Sequence, residues 1–109
     1  MITWDNNLRC SERIRKELRS IRRRVRWRKA TSATTFCITF ATNEKNLFDI
    51  YNMGELLFEH YRRSDVDLHI LGLADSREEA CELVAEMVKE VYDATGGLDV
   101  RKYFGQPNK

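Results

Sequence analysis

Arginine dominates the part of this chain best suited to chemistry. Between Leu8 and Lys29 the sequence reads LRCSERIRKELRSIRRRVRWRK, and that stretch holds eleven of the nineteen Lys and Arg residues. A guanidinium keeps its charge at any physiological pH and presents a planar fork of donors that matches phosphate and carboxylate oxygens. Arg13, Arg15, Lys16, Arg19, Arg22, Arg23, Arg24, Arg26 and Arg28 are therefore candidates for contact with a nucleic-acid backbone, where each neutralised phosphate releases counterions. Trp27 sits among them, where it could stack on a base. The same charge suits an acidic protein surface. No helix-turn-helix, zinc-finger or ribonucleoprotein-motif pattern accompanies the arginines.

A second group is Cys37, Asp67 and His69. Should the strands that carry them be neighbours, one sheet face would hold a thiol, an imidazole and a carboxylate, the parts of an activated thiolate. The commoner fate of such residues is a small buried Cys and a His bonded to a neighbouring polar group. Metal binding by Cys37, His69 and His60 lacks any ligand spacing. Cys10, Cys37 and Cys81 are odd in number and far apart, against a disulfide framework and in favour of a reducing, cytoplasmic setting. Gly72 and Gly96-Gly97 lie in no phosphate-loop motif, and no cofactor is expected.

The elements that must hold these residues follow from periodicity. Ile14, Leu18, Ile21 and Val25 recur at spacings of four, three and four, and Cys10 extends the row. This predicts an amphipathic helix over about 5–28, although Val25 to Lys29 also alternates like a strand. Thr34 to Ala41 is rich in Thr, Phe and Ile and predicts a strand with Phe36, Ile38 and Phe40 on one face. From Glu44 to Arg62 the apolar positions Leu47, Ile50, Tyr51, Gly54, Leu57, Phe58 and Tyr61 fit a helix. Phe48, Met53 and Leu56 fall outside its stripe, which suggests a protein interface. Val66 to Ala74 predicts the second strand. Ser76 with Glu79 is a capping-box signature for a last helix, which Gly96 stops. Tyr103 and Phe104 offer to pin the tail, residues 98–109, onto the body.

The expected fold is one α/β (or α+β) domain over residues 1–109. Its order is α-β-α-β-α, with a small sheet around a parallel βαβ unit and helices on both faces. Two strands cover poorly, so a homodimer that completes the sheet is expected. Net charge is only +2, yet it divides into +8 over residues 1–29 and −6 over residues 30–109. Glu78, Glu79, Glu82, Glu86, Glu90 and Asp93 line one side of the last helix, so the basic helix has a partner of opposite sign within the chain or in a second copy. No stretch has the ~18 apolar residues of a membrane span, and the N-terminus lacks a signal-peptide core. The functional expectation is a non-enzymatic interaction module that homodimerises and docks a partner through its basic helix. The alternative is a small nucleic-acid-binding accessory protein that uses the same arginines.

Overall fold

The first residues form a strand where a helix was expected. The computed structural model describes residues 2–26, 35–42, 45–55 and 68–104. Strand β1 runs Ile2–Cys10 and helix α1 Glu12–Arg26. Strands β2 and β3 follow at Phe36–Phe40 and Phe48–Asn52, then β4 at Leu68–Ala74. Helix α2 spans Arg77–Thr95 and the short helix α3 Val100–Phe104. Among the described residues four strands make one mixed sheet in the order β1-β4-β2-β3. Strand β4 pairs parallel with β1 and antiparallel with β2, and β2 pairs antiparallel with β3.

Two expected helices are thereby corrected. The basic helix begins at Glu12 rather than near residue 5. The Ser11 N–H donates to Leu73 O in β4, and Ser11 O accepts the first helical bond, from Arg15 N. The ladder therefore holds the chain extended until Ser11. In β1 the apolar Trp4, Leu8 and Cys10 pack towards α1, while Arg9 reaches Glu90 of α2 on the other side. Val25 and Arg26 end α1 as helix, while Trp27 to Lys29 lie outside the described residues.

The predicted helix over 44–62 is replaced at Phe48–Asn52 by β3. Apolar residues on more than one side, which a single helix stripe leaves unexplained, suit a strand covered on both faces. Phe48 and Ile50 join the α2-side core, and Tyr51 joins the α1-side core. Asp49 secures the start of this hairpin arm: its Oδ2 accepts from the Thr42 N–H, the Thr42 hydroxyl and the Tyr51 hydroxyl. Because β3 adds one more traverse of the sheet, β4 returns antiparallel to β2, and the expected parallel pairing of those two strands is overturned. The parallel neighbour of β4 is β1. Four strands from one chain also remove the need for a second copy to complete the sheet.

Helices cover both faces, as the apolar stripes predict. On one side Ile14 and Ile21 of α1 are buried with Cys37, Met53, Ile70 and Leu73. On the other, Leu83, Met87 and Val91 of α2 are buried with Ile38 and Leu71, and Val100 and Phe104 of α3 close the edge. Each such aliphatic side chain contributes about 1.5–3 kcal/mol when fully buried. Strand β4 lies inside both layers. Leu71 and Gly72 both look towards α2, so that Ile70 and Leu73, three residues apart, both face α1. This local irregularity coincides with the register shift between β2 and β4. As expected, Phe104 packs onto the body, its ring edge-on to Phe48 at 5.8 Å between centroids.

The ends of α2 are those the sequence predicts. The Glu79 N–H donates to Ser76 Oγ at 3.1 Å, and Gly96 takes the left-handed conformation with φ 76°. Ser76→Ala is expected to lower the unfolding free energy by about 1 kcal/mol, as loss of an N-cap usually does. A urea titration followed by circular dichroism reads this directly. An unchanged midpoint would show that the cap contributes nothing.

Candidate functional site

The basic residues of α1 are placed by its apolar stripe. Ile14 and Ile21 are buried and Leu18 is half-buried against the sheet, so the intervening positions must face outward. Arg13, Arg15, Lys16, Arg19, Arg22 and Arg23 are all exposed. Arg24 and Arg26 continue the same helix, while Trp27 and Arg28 lie outside the described residues. Over Glu12–Arg26 the helix carries eight basic and two acidic residues, a net +6. Among the described side chains, Arg13 and Arg22 have contacts. The Arg13 guanidinium stands 3.9 Å from Asp75 but its side chain is 80% exposed, which makes a weak, salt-screened pair. Arg22 lies over the Trp4 ring, 5.2 Å from its centroid. Arg15, Lys16, Arg19 and Arg23 have no ion pair among the described residues.

The acidic helix does not supply one. Helix α2 has six acidic and two basic residues, a net −4. It packs on the side of the sheet opposite to α1. Intramolecular neutralisation, one of the expected roles for its acidic face, is therefore excluded by topology. Among the described residues, the helix on one face of the sheet is basic and the helix on the other is acidic.

A polar cluster that the sequence reading missed lies on the α2 side. Thr3 Oγ1 is 2.8 Å from His69 Nδ1, and His69 Nε2 is 3.2 Å from Asp5 Oδ1. The other carboxylate oxygen of Asp5 accepts from the Asn7 N–H and faces Arg9 at 3.6 Å. Arg9 donates to Glu90 of α2, and its guanidinium lies over the Phe104 ring at 4.4 Å. His69 stacks on Phe40. A hydroxyl, an imidazole and a carboxylate in series are parts of an acid–base relay. Here, however, the carboxylate is held by Arg9, and Arg9 is held by Glu90. The contacts bridge β1, β4 and α2 where β1 has its register shift, between Trp4 and Arg9. They act as a staple for that irregular strand. The one signal in the sequence was the alternation of Thr3 and Asp5 with Trp4, which marks a strand with a polar side.

The thiol hypothesis fails on geometry. Cys37 is fully buried in the α1-side core, whereas His69 stacks on Phe40 on the α2 side. Burial pushes the Cys37 thiol up to about 12, with hydrogen bonds from backbone groups only partly opposing it. Such a thiol is protonated and inert at neutral pH. Asp67 and His60 lie outside the described residues. With iodoacetamide near pH 8, exposed Cys81 is expected to be alkylated while Cys37 is spared until the protein is denatured. Mass mapping of the labelled peptides reads this, and early labelling of Cys37 would contradict its placement.

The same burial has a pH consequence. The Cys37 thiol rises from an ordinary 9.0, and the Tyr51 hydroxyl from 10.0 to about 12, through burial first and then its bond to Asp49. Above pH 9 the unfolded chain thus loses protons that the folded chain keeps, so stability falls as pH rises from about 9 to 12. Urea midpoints that stay level across that range would refute the burial of these two groups.

The remaining candidates separate. Phe48, expected on a free helix face, is half-buried in the α2-side core. Met53 is fully buried in the α1-side core, so neither offers a free apolar surface in this chain. Leu56 lies outside the described residues. No group of three His, Cys, Asp or Glu residues could hold a metal among the described residues. No described helix is long and apolar enough to cross a membrane. Comparison with family models, with curated proteins and with solved structures returns no match.

Proposed function

We propose that this chain is a small non-enzymatic binding module whose helix α1 docks on the phosphate backbone of a nucleic acid. The observation that carries this reading is the separation of charge by the sheet. The acidic helix α2 lies on the far face, which leaves Lys16, Arg19 and Arg23 without an ion pair among the described residues. A helix of net +6 with that much unneutralised charge repels itself along its length. A polyanion relieves the repulsion and releases counterions as it binds. Within Glu12–Arg26 there is no aromatic side chain to stack on bases, so the docking rests on phosphate contacts, which by themselves carry no sequence information.

The test is fluorescence anisotropy of labelled duplex DNA and of single-stranded RNA, titrated with the protein at several salt concentrations. Binding that weakens steeply with salt supports the reading. No binding even at low salt would sink it and would leave an acidic protein surface as the occupant of α1. That second reading is favoured by one observation, the exposed acidic stripe that the chain itself carries on α2.

A further inference from the structure

We infer that the protein self-associates head to tail, with α1 of one copy seated on α2 of the next. On α1, exposed Lys16, Arg19 and Arg23 follow one face over eight residues, about 10 Å from first to last at 1.5 Å rise per residue. On α2, exposed Glu78, Glu82 and Glu86 follow one face over nine residues, about 12 Å from first to last. Neither row has an ion pair among the described residues, since Lys89 is taken by Asp93 within α2 and Glu90 by Arg9. The two rows match in length and are opposite in sign. Tyr92, 56% exposed, stands further along α2 and offers a ring over which a guanidinium from the other copy can lie.

The geometry selects the type of assembly. A two-fold contact of α1 on α1, or of α2 on α2, would set like charges against each other. Contact of α1 on α2 joins unlike surfaces. Because these helices occupy opposite faces of the sheet, each added copy leaves one basic and one acidic face open. Such a heterologous contact does not close after two copies and propagates. Exposed ion pairs are weak individually and are screened within about 10 Å at 0.1 M salt. The association is therefore a low-salt, concentration-dependent one, and a nucleic acid on α1 competes with it.

Sedimentation velocity at low and high salt tests this, with two variants. Lys16→Gln/Arg19→Gln/Arg23→Gln neutralises the basic row, and Glu78→Gln/Glu82→Gln/Glu86→Gln the acidic one. At low salt the native protein is expected to exceed twice the 12.9 kDa of one chain as its concentration rises. At high salt it should return to 12.9 kDa. Each variant alone should sediment as one chain. Their equimolar mixture should stop at two, because the variant with α2 neutralised still presents a basic α1 to the intact acidic α2 of the other, and nothing remains to extend. A native protein that stays at 12.9 kDa at low salt, an acidic-row variant that assembles like the native protein, or a mixture that stays at one chain would each overturn the proposal. The acidic-row variant separates this outcome from the nucleic-acid reading. It should bind labelled DNA with unchanged affinity, and native protein that assembles yet binds no DNA would refute only that reading.

Discussion

Replacing Lys16, Arg19 and Arg23 together by Gln is expected to weaken binding of duplex DNA by on the order of 100-fold or more at 0.1 M salt. The argument rests on how many cations face outward. Six basic side chains on α1 are exposed. If all meet phosphates, the plot of log affinity against log salt should slope at about −5, and loss of three should reduce it to about −3. The fold should be unaffected, because the three residues make no ion pair or ring contact among the described residues. Surface changes of this kind usually stay within about 0.5 kcal/mol. Removing like charges from one helix relieves repulsion along it. Anisotropy across a salt series gives the slope, and a melting curve of the same sample gives the control. A variant with native affinity and slope would show that α1 is not the docking surface. A variant that has lost both binding and its melting transition would instead assign these residues to the fold.

The second large effect is on stability. Gly72→Val is expected to cost roughly 3 kcal/mol, at the upper end of what overpacking a core usually costs. Gly72 lies in β4, the strand enclosed by both helical layers. A Cβ added there would stand 3.1 Å from the backbone oxygen of Arg9 and 3.3 Å from both Ile38 Cδ1 and Leu83 Cδ2. The two methyl ends could shift slightly, but the Arg9 carbonyl belongs to the neighbouring strand of the ladder. Valine adds two further carbons to that crowded volume. For a domain of this size the melting temperature should drop by more than 10 °C, at roughly 4 °C or more per kcal/mol. Gly72→Ala should fall between the two proteins. A valine variant that melts with the native protein would mean that β1 and β4 are not in register at this residue.

Both results depend on features that were unequally visible in the sequence. The arginines of α1, their apolar stripe and the capped acidic helix could all be read directly. Each depends on a spacing of three or four residues within a single helix, and helical periodicity is local. The strand at Phe36–Phe40 and the buried run of β4 were legible from another local signal, alternation and β-branched or aromatic content, and the pinning of Phe104 from an aromatic pair in a mostly polar tail. Residues 48–52 were not. Leu47, Ile50 and Tyr51 satisfy a helical spacing as well as a strand buried on both faces, and periodicity cannot separate the two over so short a run. The decision falls to β2, whose ladder with β3 satisfies the backbone groups of both. The start of the chain was misread likewise. Cys10 stands four residues before Ile14 and looks like one more turn of α1, until β4 claims Leu8 to Ser11 for the sheet.

Sequence alone therefore determined which residues share a helix face, where α2 begins and ends, and that the chain divides into a basic and an acidic part. Tertiary structure decided how those parts are disposed. Strand order put α1 and α2 on opposite faces, sent Cys37 and His69 to different sides, and joined Asp5, Arg9, His69 and Glu90 from distant segments. Charge pattern is a property of neighbouring residues, but the distance between two charged faces is set by the layer between them. Here that layer is a four-stranded sheet, and it keeps the arginines of α1 from the acidic face of α2.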